Sequence, residues 1–102
     1  MGRAKRFQPT RLAEKLAEIR NRLELNQSQL FNRLGETKST IYASYISGYE
    51  IGTREPPLDV LLRYARIAGV PVDVLIDDEL DLPKGLPSEK KYEWVVTMRE
   101  RK

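Results

Sequence analysis

Apolar residues recur at helical spacing through most of this chain. Between Thr10 and Glu24, the residues Leu12, Leu16, Ile19 and Leu23 fall at i, i+4, i+7 and i+11, the single stripe of an amphipathic helix, with Thr10 as its cap after Pro9. In "LNQSQLFNRLG", Asn26 with Gln29 three residues on forms a capping box, and Gly35 supplies a left-handed stop. A second helix of about two turns then points Leu30, Phe31 and Leu34 inward. "ETKSTIYASYISGYEIG" predicts a connector and a third helix ending near Gly52, whose β-branched and aromatic residues make it depend on its surroundings. "TREPP" predicts a loop, because Pro56 holds Glu55 extended and Pro57 can open the next helix. Leu58, Leu61, Leu62, Ala65 and Ala68 line one face of a fourth helix closed by Gly69, and "VPVDVLIDDEL" predicts a short fifth. Beyond it, "DLPKGLPSEKK" breaks structure as a linker. In "YEWVVTM", Tyr92, Trp94, Val96 and Met98 alternate as in a strand, while Ser88 can equally cap a helix through Lys102. The predicted fold class is all-α: a basic arm (1–9), a compact five-helix domain (10–82), and a linker with a short basic and aromatic tail (83–102).

A chain of 102 residues suits one such domain. It contains no Cys and no His, which removes disulfides, thiolate metal sites and the commonest general base. No nucleophile–base pair can be named, so the expectation is a protein that is not an enzyme and needs no cofactor or metal. No apolar run approaches the roughly 20 residues of a membrane span, and "MGRAKRFQPTR" has no signal-peptide core, which predicts a cytoplasmic chain without a membrane partner. The run Asp77, Asp78, Glu79 and Asp81 lacks the glycine and spacing of a calcium loop and reads as a solvated flank.

The net charge of +3 is unevenly spread. Residues 1–24 carry Arg3, Lys5, Arg6, Arg11, Lys15, Arg20 and Arg22 against Glu14, Glu18 and Glu24, whereas residues 73–81 carry five acids and no base. That asymmetry points to a side that faces a polyanion and an opposite acidic side.

Two helices joined by a glycine-containing turn suggest a helix-turn-helix. Gln27, Phe31 and Gly35 stand at i, i+4 and i+8, and "ISGYEIGTREP", "LLRYARIAGV" and "DVLI" follow in order. Over residues 10–80 the chain resembles the Cro/repressor-type (Xre-like) helix-turn-helix regulators, a resemblance that implies a lambda-repressor-like domain binding double-stranded DNA. Gln27, in the first turn of the second helix, is placed to meet a phosphate. Ser47, Gly48 and, one turn earlier, Ser44 are small enough to approach a major groove about 12 Å wide, although Gly48 equally suits close helix packing. Ile46 and Tyr49 serve the core. Glu50 pairs with a base such as Arg54 or caps backbone, and Arg54 otherwise meets a phosphate.

The chain departs from the family pattern twice. Phe31 stands where the family has Ala, which predicts a wider helix crossing or a displaced third helix. Five extra residues, "YASYI", intervene before Ser47 and open two registers. In one, the third helix starts after Thr37, and Lys38, Ser39 and Tyr42 face DNA. In the other, residues 36–42 form an enlarged turn, and Ala43, Ser44, Ser47 and Gly48 face DNA with Tyr45 on the groove face or its edge. The second is preferred, because "ISGYEIG" must keep its distance from "REPP" and the fourth helix.

The function expected is sequence-specific regulation of transcription by operator occupancy, with the arm and first helix attracting phosphates and a homodimer spanning two half-sites. The alternative is a protein-interaction module, antitoxin-like, that captures a protein partner through Tyr92, Trp94, Val96 and Met98.

Overall fold

A computed structural model describes residues 8–87, in five α-helices: α1 (Leu12–Arg22), α2 (Gln27–Leu34), α3 (Tyr45–Ile51), α4 (Leu58–Ala68) and α5 (Val72–Ile76). Most of the basic arm, and the tail with Ser88, Tyr92, Trp94, Val96 and Met98, lie outside the described residues. The helix α1 packs against α3 and α5, while α4 packs against α2 and α5. The core between them holds Leu12, Leu16 and Ile19 of α1, Leu30 and Leu34 of α2, Ile46 and Tyr49 of α3, and Leu75 of α5.

Local signals act as expected at α2. Asn26 Oδ1 accepts the Gln29 N–H and Gln29 Oε1 accepts the Asn26 N–H, both at 2.8 Å, so two helix-end donors are satisfied reciprocally. Gly35 then leaves the helix with φ +72°. Phe31, expected inside, sits half-buried at the core's margin.

The inward face of α4 differs from expectation. Leu58 is 84% exposed and Leu62 42%, and Val60 and Tyr64 are buried beside Leu61, Ala65 and Ala68. With apolar residues on both sides of the true stripe, spacing alone could not choose its centre. The large ring of Tyr64 claims the interior, where burial pushes its phenol well above the usual tyrosine range.

The start of α1 is closed from the far end of the domain. Thr10 does not cap it as its position suggests: its hydroxyl donates to Asp78 (2.8 Å), and the same carboxylate accepts the N–H groups of Thr10 (2.9 Å) and Arg11 (3.0 Å). An anion there satisfies free N–H groups and meets the positive end of the helix dipole. Lys15, buried in mid-helix, donates to the carbonyls of Val74 (2.8 Å), Asp77 (3.0 Å) and Leu80 (2.7 Å), closing the end of α5. Arg11 completes the clasp by pairing with Asp81 at 2.8 Å. The acidic run thus docks α1 through Asp78 and Asp81, while Asp77, Glu79 and Asp81 stay exposed as a solvated flank does.

The remaining tie runs from α1 to α3. Arg20 Nε donates to Glu50 Oε2 (2.6 Å) and Arg20 Nη2 to Glu50 Oε1 (2.9 Å), with side chains only 17% and 6% exposed. Arg20 Nη1 also donates to the Leu25 carbonyl (2.9 Å). Arg54, the partner that sequence proximity suggests for Glu50, is displaced. Arg20 takes its place because it reaches the carboxylate in two-pronged geometry from the core side.

Two outcomes follow from these ties. Glu50→Ala strands a buried guanidinium and should destabilise the domain by about 3 kcal/mol in urea unfolding, whereas the double change Arg20→Leu with Glu50→Leu should recover most of that loss. A double variant no more stable than the single one would contradict this reading of the pair. The Asp78 carboxyl is held below the usual range, first by the N–H of Thr10. As pH falls below about 4, the unfolded chain takes up this proton before the folded one does. The contribution of Asp78 is complete above that window and is lost as pH drops through the folded value. Thermal unfolding between pH 6 and 2 should show a shallower acid loss in Asp78→Asn than in the unaltered protein.

Candidate nucleic-acid interface

The third helix begins at Tyr45, so the enlarged-turn register is the one observed, and the helix start after Thr37 expected in the other register is absent. Tyr42 and Ala43 accept the N–H groups of Tyr45 (2.9 Å) and Ile46 (3.2 Å), and Ser44 has helical dihedrals, so the turn runs smoothly into α3. Ile46 and Tyr49 face the core. Ala43, Ser44 and Ser47 are exposed, and spacing of three and four residues places them on one side. Ile51, unassigned from sequence, extends that side and is 69% exposed. The result is a strip of small side chains beginning at the N-terminal end of a short helix.

The end of α3 is shaped by one carbonyl and one glycine. Gly48 O accepts the N–H groups of Gly52 (2.9 Å), Thr53 (3.0 Å) and Arg54 (3.2 Å), which folds the chain back beneath the helix. A Cβ on Gly48 would lie 3.0 Å from Arg54 Cβ and 3.3 Å from Thr53 Oγ1. Close packing is thus what the structure shows for Gly48, against the returning turn and not against another helix. Gly52, at φ +87°, makes the reversal at a dihedral that glycine adopts without strain.

Gln27 opens α2, and its side-chain amide donates to Glu50 Oε1 at 3.3 Å. One carboxylate therefore joins α1, the start of α2 and the end of α3. Burial pushes the Tyr49 phenol up, and the Glu50 contact raises the Arg20 guanidinium further above its ordinary value. Arg54, left without Glu50, sits with its guanidinium carbon over the Tyr45 ring at 3.5 Å from the centroid. Tyr45 is half-buried, with one face covered by that cation.

Lys38 is exposed in the turn and apart from the helical strip, while Ser39 is turned inward. Its N–H and hydroxyl donate to Asp59 at 2.9 and 2.7 Å, which holds the Asp59 carboxyl below its usual range. The roles of Asp59 and Arg63 were not legible from sequence, since both look like the solvated face of α4, whereas Tyr42, expected to face DNA only in the register with the earlier helix start, is exposed in the observed one.

The expectation that the cations of α1 meet phosphates is corrected by the structure. Arg11 binds Asp81 and Glu14, Lys15 binds carbonyls, Arg20 binds Glu50, and Arg22 binds Glu18 and the carbonyls of Pro83 and Lys84. Nearby acids and helix-end carbonyls win these groups. The exposed cations between α2 and α4 are Arg33 at the end of α2, Lys38 in the turn and Arg54 after α3. Among the described residues, no group of three or more acids is placed to hold a metal ion, and no helix is long and apolar enough to cross a membrane.

Residues 16–75 match the model of the helix-turn-helix family. The chain is also 32% identical over 78 residues to the cryptic phage CTXphi transcriptional repressor RstR of Vibrio cholerae, a stretch covering 76% of this chain and 66% of that protein. No solved structure matches the chain. The matched family region takes in the clamp on Glu50, the turn and the exposed strip of α3, and the chain belongs to the Cro/repressor-type helix-turn-helix family of transcriptional regulators.

Proposed function

We propose that this regulator binds a specific sequence in double-stranded DNA and acts by occupying an operator as a homodimer. The observation that carries the reading is the exposed strip Ala43, Ser44 and Ser47 at the N-terminal end of a helix clamped by Arg20 and Glu50. In this motif the N-terminal residues of the second helix meet base edges. Small side chains let the backbone come close, and serine hydroxyls donate or accept at either base type. Arg33, Lys38 and Arg54 supply the phosphate contacts, and the first-turn N–H groups at Gln27 can add one more. A repressor is the named function of the similar phage protein, which supports repression by exclusion here.

The dimer rests on one surface. Leu58, 84% exposed, forms part of the wall of an open, mostly apolar cleft with Pro9, Leu12, Pro56, Leu61 and Ile76, and with Glu55. An exposed apolar patch of this kind, buried against its own copy, would form an isologous pair. The same patch also supports the second reading, a protein-interaction module that captures a different partner.

Selection of bound duplexes from random DNA should enrich an inverted repeat with half-sites about one helical turn apart. Affinity for it should fall on the order of a thousandfold between 50 and 200 mM salt for about six phosphate contacts. Arg54→Ala, which removes one phosphate-binding cation, should lower the salt slope by about 1. Ser47→Glu should abolish selective binding while leaving thermal unfolding unchanged. Binding indifferent to both salt and sequence would sink the proposal and favour the interaction module.

A further inference from the structure

A helix-turn-helix needs three or four residues for its turn. Here α2 ends at Leu34 and α3 begins at Tyr45, so ten residues (35 to 44) lie between them. They are not slack. Arg63 donates to the carbonyls of Leu34 (3.1 Å) and Glu36 (2.5 Å), and the Thr37 hydroxyl donates to Ser39 O (2.6 Å). Ser39 is bound twice by Asp59, and Ile41 packs against the core. Two charged side chains of α4, four residues apart and hence on one face, both hold this turn.

What the turn presents outward is specific. Tyr42 is 57% exposed, yet its ring stands edge-on to Tyr45, with centroids 5.3 Å apart and planes at 81°. Tyr45 meets the buried Tyr49 in the same manner at 6.5 Å. The three rings run from the core to the surface, and Arg54 covers the face of the middle one. Tyr42 is therefore an exposed aromatic ring in a defined place, immediately before the end of α3 that lies nearest the bases in this motif. An apolar ring held in water contributes little to folding, whereas against DNA it has one natural target. Among the bases, only thymine displays a methyl group in the major groove.

We infer that the turn 35–44 is a second reading element, and that the ring of Tyr42 makes an apolar contact with the C5-methyl group of a thymine beside the base pairs met by Ser44 and Ser47. This rests on the DNA-binding reading above. Lys38, on the same turn, adds charge toward the adjoining backbone.

The test uses the full chain and the duplex that selection enriches. Each thymine is replaced in turn by uracil, which removes only the methyl group, and binding is compared for the unaltered protein, Tyr42→Phe and Tyr42→Ala. One uracil position per half-site should weaken the unaltered protein about fourfold, roughly the worth of one buried methyl group. Tyr42→Phe should show the same sensitivity. Tyr42→Ala should bind the thymine duplex about as weakly as the unaltered protein binds the uracil duplex, and should be blind to the replacement. If uracil is tolerated at every position while an enriched duplex exists, the inference fails and the DNA-binding reading stands. If no duplex is enriched, or single-stranded DNA of the same sequence binds equally well, both fall. Should Tyr42→Ala fail to fold, the uracil scan on the unaltered protein decides alone.

Discussion

The carboxylate of Glu50 is the point on which α3 is hung. It takes two hydrogen bonds from Arg20 and one from Gln27, and Arg20 commits its remaining arm to the Leu25 carbonyl. One side chain near the end of α3 thus fixes α1, the α1–α2 turn and the start of α2. The pair acts by selecting geometry more than by adding stability. A desolvated carboxylate and guanidinium cost several kcal/mol unless both meet their partners, so any arrangement that misplaces α3 leaves a buried charge unpaired. That restraint matters because α3, at seven residues, is too short to be stable by itself; isolated helices below about 12 residues are marginal in water.

The same need to satisfy buried polar groups explains where the charges went. A basic segment at 1–24 and an acidic stretch at 73–81 suggest two opposed surfaces when set out along the chain. In space they meet: Asp78 closes the start of α1, Lys15 closes the end of α5, and Arg11 bonds Asp81. Helix ends present unsatisfied N–H and C=O groups, and charged side chains within reach are drawn to them. With the cations of α1 engaged internally, the exposed cations among the described residues lie elsewhere, in Arg33, Lys38, Arg54, Arg66 and Lys84.

Much of this was legible in the sequence because local signals are short-range. The capping box at Asn26 and Gln29 and the glycine stops at 35, 52 and 69 each need only neighbours within one turn, while the core roles of Ile46 and Tyr49 came from the family resemblance. What escaped needed distant partners. Nothing near Thr10 announces that residue 78 will cap its helix, and nothing near Glu50 separates Arg54, four residues on, from Arg20, thirty residues back. Lys15 sits within a helical stripe where a lysine reads as surface, and its burial is set by carbonyls from another helix. The centre of the α4 face escaped for a different reason, since Leu58 and Leu62 are apolar enough to imitate core while facing outward. At the site, the register followed from the rigid spacing between "ISGYEIG" and "REPP", whereas the stack of Arg54 on Tyr45 followed from a chain reversal that spacing does not reveal.

The enlarged turn shows why a helix-turn-helix can change its turn without losing the position of its second helix. The α3 end nearest α4 is held by Gly48 O accepting three N–H groups, by Gly52 and by Glu50, and its middle by buried Ile46 and Tyr49. None of these anchors lies in the turn itself. Lengthening the turn therefore costs only loop closure, about 0.6 kcal/mol per doubling, and the bonds from Arg63 and Asp59 offset that cost. Residues added there do not push α3 out of place; they accumulate at its N-terminal end. A helix braced from its far end leaves its near end free to acquire new surface, and in this protein that surface carries Tyr42, Ala43 and Ser44.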